Sequence, residues 1–291
     1  MSKFRRNLLT AMNKTEPPIT KDYLTIVALE DGLTAKLSLN ACEYCVDGDG
    51  NWKSLPADTE TESINNGQTL SFRANLTPTT NDGIGTFSIN KLHNLKGDCM
   101  SLLVGDDAKD CFSLEGNDSA FRKLFNGNDR LVDASELLLK ATTLATRCYY
   151  SMFQNCKNLI DAPKLPAMVL TPSCYASMFH SCSSLVKAPG LPATTLDIYC
   201  CYLMFYYCTS LEAAPDLMAT VLKNNCYADM FSHCRRLNYI KMMATNIVAS
   251  GCLTDWLLSV ATTGTFIKNK YATWDVRGTN GIPNGWEIIT E

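Results

Sequence analysis

Apolar and polar residues alternate along much of the first hundred positions, and the alternation is broken by turn residues. YLTIVALEDG (23–32) predicts a strand that ends at an Asp31-Gly32 turn. TAKLSLN (34–40) alternates and predicts its hairpin partner. CEYCVDGDGNWKSL (42–55) predicts strand, tight turn, strand. Ile64 follows, and an Asn66-Gly67 turn then leads into alternating Leu70, Phe72, Ala74 and Leu76. GIGTFSI (83–89) supplies another strand. Roughly seven short strands in so short a stretch predict an all-β sandwich.

From residue 120 the pattern acquires a longer period. Cys148, Cys174, Cys200, Cys226 and Cys252 stand 26 residues apart. Cys156, Cys182, Cys208 and Cys234 keep the same interval. Within each copy Met152, Met178, Met204 and Met230 align, as do Phe153, Phe179, Phe205 and Phe231, and Leu159, Leu185, Leu211 and Leu237. CYxxMF places Cys, Met and Phe at i, i+4 and i+5, which predicts a helical turn or two. Leu159 to Leu165 predicts a short strand, limited by a proline in three copies (Pro163, Pro189, Pro215). Residues 120–147 read as a degenerate earlier copy, and CLTDWLLSV (252–260) as a partial last one. Fixed-period self-similarity predicts a stacked solenoid, because one copy cannot bury its apolar face alone.

The predicted fold class is therefore mixed α/β and all-β, a leucine-rich-repeat solenoid preceded by an immunoglobulin-like β-sandwich. The expected organisation is a disordered leader over 1–22, the sandwich over 23–96, and a linker or start of a solenoid cap over 97–119. The solenoid follows over 120–263 and a C-terminal β cap over 264–291. Phe266, Trp274 and Trp286 are the aromatics expected to cover the open end of the stack.

Composition narrows the chemistry. The chain of 291 residues has a net charge of −3 and 19% charged residues, so no basic stripe marks it for nucleic acid. No run of apolar residues is long enough for a transmembrane helix, and membrane insertion is not expected. The first residues, MSKFRRNLLTAMNK, are basic but lack the apolar stretch of a signal peptide.

Nine of the 14 cysteines follow the repeat, so burial as free thiols is the expectation. Cys42-x-x-Cys45 has half-site spacing, but no second pair completes a metal site, and both read as packing residues. Asp47-x-Asp49-Gly50-Asn51 resembles the start of a calcium loop but has Asp58 where the closing glutamate belongs, and it reads as a hairpin turn. The three histidines, His93, His180 and His233, are scattered; His180 and His233 read as separate solvent-facing or loop residues. No nucleophile elbow, HExxH or P-loop is present. No catalytic residue, metal or cofactor is assigned, and the expectation is a protein that is not an enzyme.

The copies differ at Asp161, Lys164, Lys187, Glu212, Asp216, Tyr239 and Lys241 while the apolar positions stay fixed. Variation over a fixed core marks these seven as the candidate binding face. The expected function is non-enzymatic recognition or adhesion, binding protein or glycan at a surface. The alternative is a structural subunit of a cell-surface or phage assembly. The oligomeric state is open.

The unit CYxxMFxxCxxLxxAPxLPAxxL resembles the BspA-like leucine-rich repeats found in surface proteins of gut Bacteroides and related bacteria. Met-Phe at 152–153, 178–179, 204–205 and 230–231 carries the resemblance, with Cys156, Cys182, Cys208 and Cys234. YLTIVALEDG, the DGDGNW hairpin, NLTPTTNDGIGTF, KGDCMSLL and the closing GTFIKN and GIPNGWEI also look like parts of one recurrent gut-bacterial architecture. The resemblance implies a repeat solenoid, binding of host or bacterial surface components, and a location at the cell surface or secreted. The absence of a recognisable signal peptide departs from that pattern and leaves phage-associated or cytoplasmic placement open. The resemblance carries over no binding residue.

Overall fold

The computed structural model describes residues 22–291. The expected leader lies outside them except for Asp22. The elements are β1 (Leu24–Ala28), β2 (Ala35–Leu37), β3 (Cys42–Val46), β4 (Lys53–Leu55), β5 (Thr69–Arg73), β6 (Phe87–Ile89), β7 (His93–Asp98) and a single turn of helix, α1 (Ser101–Val104). A 3-10 segment (Gly105–Asp110) follows, then β8 (Leu131–Leu138), β9 (Tyr239–Met242), β10 (Gly264–Lys268) and β11 (Trp286–Thr290).

These strands form three separate sheets. The largest has the order β4-β3-β5-β1-β7-β8; β9, β10 and β11 form a parallel sheet with β10 in the middle, and β2 pairs with β6. The β3–β4 hairpin forms as its sequence predicts. The predicted β1–β2 hairpin does not. Instead β1 lies between β5 and β7, and β2 pairs antiparallel with β6. Gly97 in β7 allows the chain to cross Tyr23 closely, since a Cβ there would sit 1.9 Å from the Tyr23 carbonyl oxygen. The last strand of the large sheet, β8, pairs parallel with β7, so the sheet reaches into the segment read as the first repeat copy.

The expected leucine-rich-repeat solenoid behind an immunoglobulin-like sandwich is thus corrected. The fold is mostly β, with three sheets, none curled or closed, and minimal helix. The architecture implied by the BspA-like resemblance is corrected with it.

The physical reason lies in the backbone of the CYxxMF segments. Every fourth residue there is left-handed: Arg147, Ser151 and Asn155; Ser173, Ser177 and Ser181; Tyr199, Leu203 and Tyr207; Asn225, Asp229 and His233, all with φ between 53° and 64°. A helix needs right-handed dihedrals at every position, so this segment winds as consecutive turns. Its N–H groups alternate in use. Tyr150 and Met152 donate to the carbonyls of Arg147 and Tyr149, three residues back (3.1 and 3.2 Å). Tyr149, Ser151 and Phe153 donate to Cys174, Ala176 and Met178 of the next copy (3.0, 2.9 and 2.9 Å). Local turns and cross-copy bonds together satisfy the backbone, as burial requires.

The predicted Leu159–Leu165 strand also fails to form. Only isolated bridges occur at that level: Asp133 to Asp161, Lys187 to Ala213, Ala213 to Tyr239, and Leu217 to Met242. Pro163, Pro189 and Pro215 follow the bridging residues and offer no N–H to a ladder. In the fourth copy Lys241 occupies the proline position, and there β9 forms and pairs with β10.

The 26-residue spacing appears as columns of buried side chains. Phe153, Phe179, Phe205 and Phe231 stack at 5.5 Å between ring centroids, with planes within 8°. Cys182, Cys208 and Cys234 each donate S–H to the carbonyl of the phenylalanine one copy back, Phe153, Phe179 and Phe205 (3.1, 3.1 and 3.0 Å). A thiol at this place is small, apolar and a weak donor, which suits a buried carbonyl beside a ring. All 14 cysteines are free, and all but Cys111 are buried. Burial pushes the thiol pKa values up, to about 12 for Cys42 and Cys148.

Candidate functional site

Three copies run Ala-Pro-x-Leu across the level where the strand does not form. With no ladder to close it, the surface opens into a groove of about 630 Å³. Pro163, Pro166, Pro189 and Pro192 line it, with Lys164 at one side and Asp216 and Met218 at another. Two of the seven sequence-predicted residues, Lys164 and Asp216, therefore meet at one cavity.

The other five are distributed along the same level. Asp161 and Lys187 are exposed and carry the isolated bridges. Glu212 is exposed, 3.8 Å from Arg236. Tyr239 and Lys241 lie in β9, and Lys241 is paired with Glu291 beside β11. That ion pair satisfies the lysine within the chain and takes it out of the free charge of the face.

Sequence reading missed a second surface. Residues at and just before the left-handed positions of the turns include side chains that reach the surface, and equivalent ones in successive copies stack outside the core. In copy three these are Tyr199, Tyr202, Tyr206 and Tyr207, where neighbouring copies carry smaller or polar residues. Tyr206 stacks on His180 at 5.1 Å, and Tyr207 stacks on His233 at 4.4 Å. Tyr206 meets His233 edge-on at 5.5 Å, and Tyr199 meets Tyr202 edge-on at 5.6 Å. The two histidines, read as separate, converge on one tyrosine. Gln154 holds the His180 Nδ1 at 2.8 Å, and Asn126 donates to Gln154 at 3.0 Å. The tyrosine-rich string CYLMFYYC was the available signal, but assigning a helix to it hid which rings share a side.

Electrostatics mark the same surface. Burial raises the Asp229 carboxyl, Asp255 adds to the rise and His233 opposes it. Burial also raises the Tyr202 and Tyr206 hydroxyls, with Asp229 contributing at both. Burial lowers His180. The surface is aromatic, weakly acidic and held by side-chain hydrogen bonds.

The two motifs with metal-like spacing take structural places. Cys42 and Cys45 are buried in β3. Asp47 accepts hydrogen bonds from the Thr69 N–H and the Gln68 amide (both 2.8 Å), and Asp49 accepts from the Asn51 N–H at 2.8 Å, closing the turn. Among the described residues, no helix is long and apolar enough to cross a membrane. No family model, curated protein or solved structure matches the chain.

Proposed function

We propose that the protein is a non-enzymatic recognition module that binds a protein or glycan through side chains displayed on its stacked turns. One observation carries this reading: the buried columns of Cys, Met, Phe and Leu and the groove prolines repeat from copy to copy, while the position between proline and leucine that faces the groove changes, Lys164, Gly190 and Asp216. A rigid core with a changing exposed surface separates stability from specificity, which is the arrangement a binding surface needs. The groove supplies apolar area with opposite charges, Lys164 and Asp216, at its margin. Prolines fix its backbone, so little conformational entropy is lost on binding.

The test is a screen of the full chain against arrays of glycans and of cell-surface and matrix proteins. It is repeated with the charge-reversed variant Lys164→Glu with Asp216→Lys. Binding to a defined ligand is expected. Blank arrays for folded protein, together with self-association by light scattering, would replace this reading with that of an assembly subunit.

A further inference from the structure

We propose that the tyrosine–histidine surface of copy three is a binding site for neutral oligosaccharides, distinct from the proline groove. It shares the recognition reading's class of activity but none of the groove's residues.

The argument begins with which ring faces are left open. Rings in equivalent positions of neighbouring copies stack, as His180 does on Tyr206 and His233 on Tyr207. Where the neighbour is small, the column leaves a face uncovered. Tyr207 has His233 on one side and Ser181 at the equivalent position on the other. Tyr202 has Ala176 before it and Ala228 after it, both buried. Tyr150 faces Ala176 from the opposite side, while the Arg122 guanidinium covers its far face at 4.9 Å. Tyr150 and Tyr202 thus stand on either side of the Ala176 position in the register, with Ala176 itself buried. Tyr207 offers a second face over Ser181.

These rings are fixed before any ligand arrives. Tyr199 braces Tyr202, and Tyr206 stands edge-on to Tyr207 at 4.8 Å. A tyrosine has few rotors to immobilise, so a braced one presents its apolar face at low entropic cost. Hydrogen-bonding groups lie at the rim: the Asp229 carboxylate, His233, and the His180–Gln154 pair.

Flat apolar faces beside fixed donors and acceptors match a sugar ring, which has an apolar C–H face and a hydroxyl edge. Charge selects among sugars. Asp229 and its neighbour Asp255 disfavour phosphate, sulfate and carboxylate beside Tyr202 and Tyr206, and the Arg122 guanidinium is engaged on the Tyr150 ring, so the ligand is a neutral glycan and not an anionic one or a nucleic acid.

The experiment uses the full chain against a panel of neutral and anionic oligosaccharides, followed by titration of the best neutral binder. Tyr202→Ala and Tyr207→Ala are each expected to weaken binding tenfold or more, with Tyr207→Phe close to wild type. Ser181→Tyr fills the open side of Tyr207 with a ring in register and should also abolish binding there. Lys164→Glu should leave this binding unchanged, which separates the site from the groove. Saturation transfer from tyrosine ring protons to the sugar would support the assignment directly. Preference for anionic glycans would overturn it, as would binding of only a protein at these residues. Neutral-glycan binding that survives both alanine variants but not Lys164→Glu would place the ligand in the groove instead and sink this site alone.

Discussion

At the scale of the single residue, two features control stability. The first is the left-handed backbone at every fourth position of the turns. Ser173 has φ 54° and is half-buried. Glycine adopts this conformation freely, whereas a β-branched side chain clashes with the backbone there. Ser173→Val should cost about 1–2 kcal/mol in chemical denaturation, with Ser173→Gly within about 1 kcal/mol of wild type. Equal effects would show that the conformation is not what the position demands. The second is His93, fully buried in β7, whose Nδ1–H donates to the Lys91 carbonyl at 2.8 Å. Burial lowers its pKa from 6.5 to about 4. A depressed folded-state pKa means the fold favours the neutral ring. The stabilisation is therefore complete above pH 6.5 and is lost as pH falls through about 4. The loss amounts to about 3 kcal/mol over that window. His93→Leu, which cannot titrate, should remove this part of the pH dependence; an unchanged slope between pH 6.5 and 4.5 would refute it.

At the scale of the element, the phenylalanine column is the principal packing device. Phe179 is fully buried between Phe153 and Phe205, each at 5.5 Å. Phe179→Ala removes a ring that two neighbouring copies contact and should destabilise by roughly 3–5 kcal/mol. Melting curves that superimpose on wild type would contradict this. The aligned Phe, Met, Leu and Cys positions could be read directly from the sequence, because burial is a property of residue type repeated in register. The winding could not be read this way. Spacings of i, i+4 and i+5 fit an α-helix, but they fit equally a run of turns with a left-handed residue every fourth place. Ser173, Ser177 and Ser181 carry no glycine signal to tell the two apart. The prolines were more informative. Pro163, Pro189 and Pro215 marked strands that would be short, and in the structure they reduce to single bridges. The two copies without a proline there form strands, β8 in residues 120–147 and β9 in the fourth copy. The candidate binding face named from sequence contains the groove residues Lys164 and Asp216. The tyrosine surface stayed hidden because its members share a side only in the four-residue winding.

At the scale of the whole molecule, one file of aromatic rings links the sheets to the turns. Tyr44, Phe72 and Phe87 come from the N-terminal strands, and Phe87 stacks on Phe125 at 5.8 Å. Phe125 then begins the column that ends at Phe231. Trp256, Phe266 and Trp274 continue it edge-on at 6.2 and 6.0 Å, with the Trp256 and Trp274 indoles donating to the carbonyls of Gly281 and Ala244. Two further contacts join the same regions: the parallel β7–β8 pairing, and the buried Asp98 carboxylate 2.6 Å from the Lys140 ammonium. Burial raises Asp98 despite Lys140, so the pair's main effect is to fix how the segments meet. The buried side chains form one cluster from Leu24 to Trp286, and a core with no break should lose its structure in one step. A single calorimetric transition is therefore expected, with Trp52, in the N-terminal sheet region, and the three C-terminal tryptophans reporting the same midpoint. Phe87→Ala cuts the file at the junction of sheets and turns, at a cost of roughly 3–5 kcal/mol. It should lower stability and separate the transition into two, the Trp52 signal changing at a different midpoint from the others. Two transitions already present in the wild-type chain would show that the aromatic file does not couple its two ends.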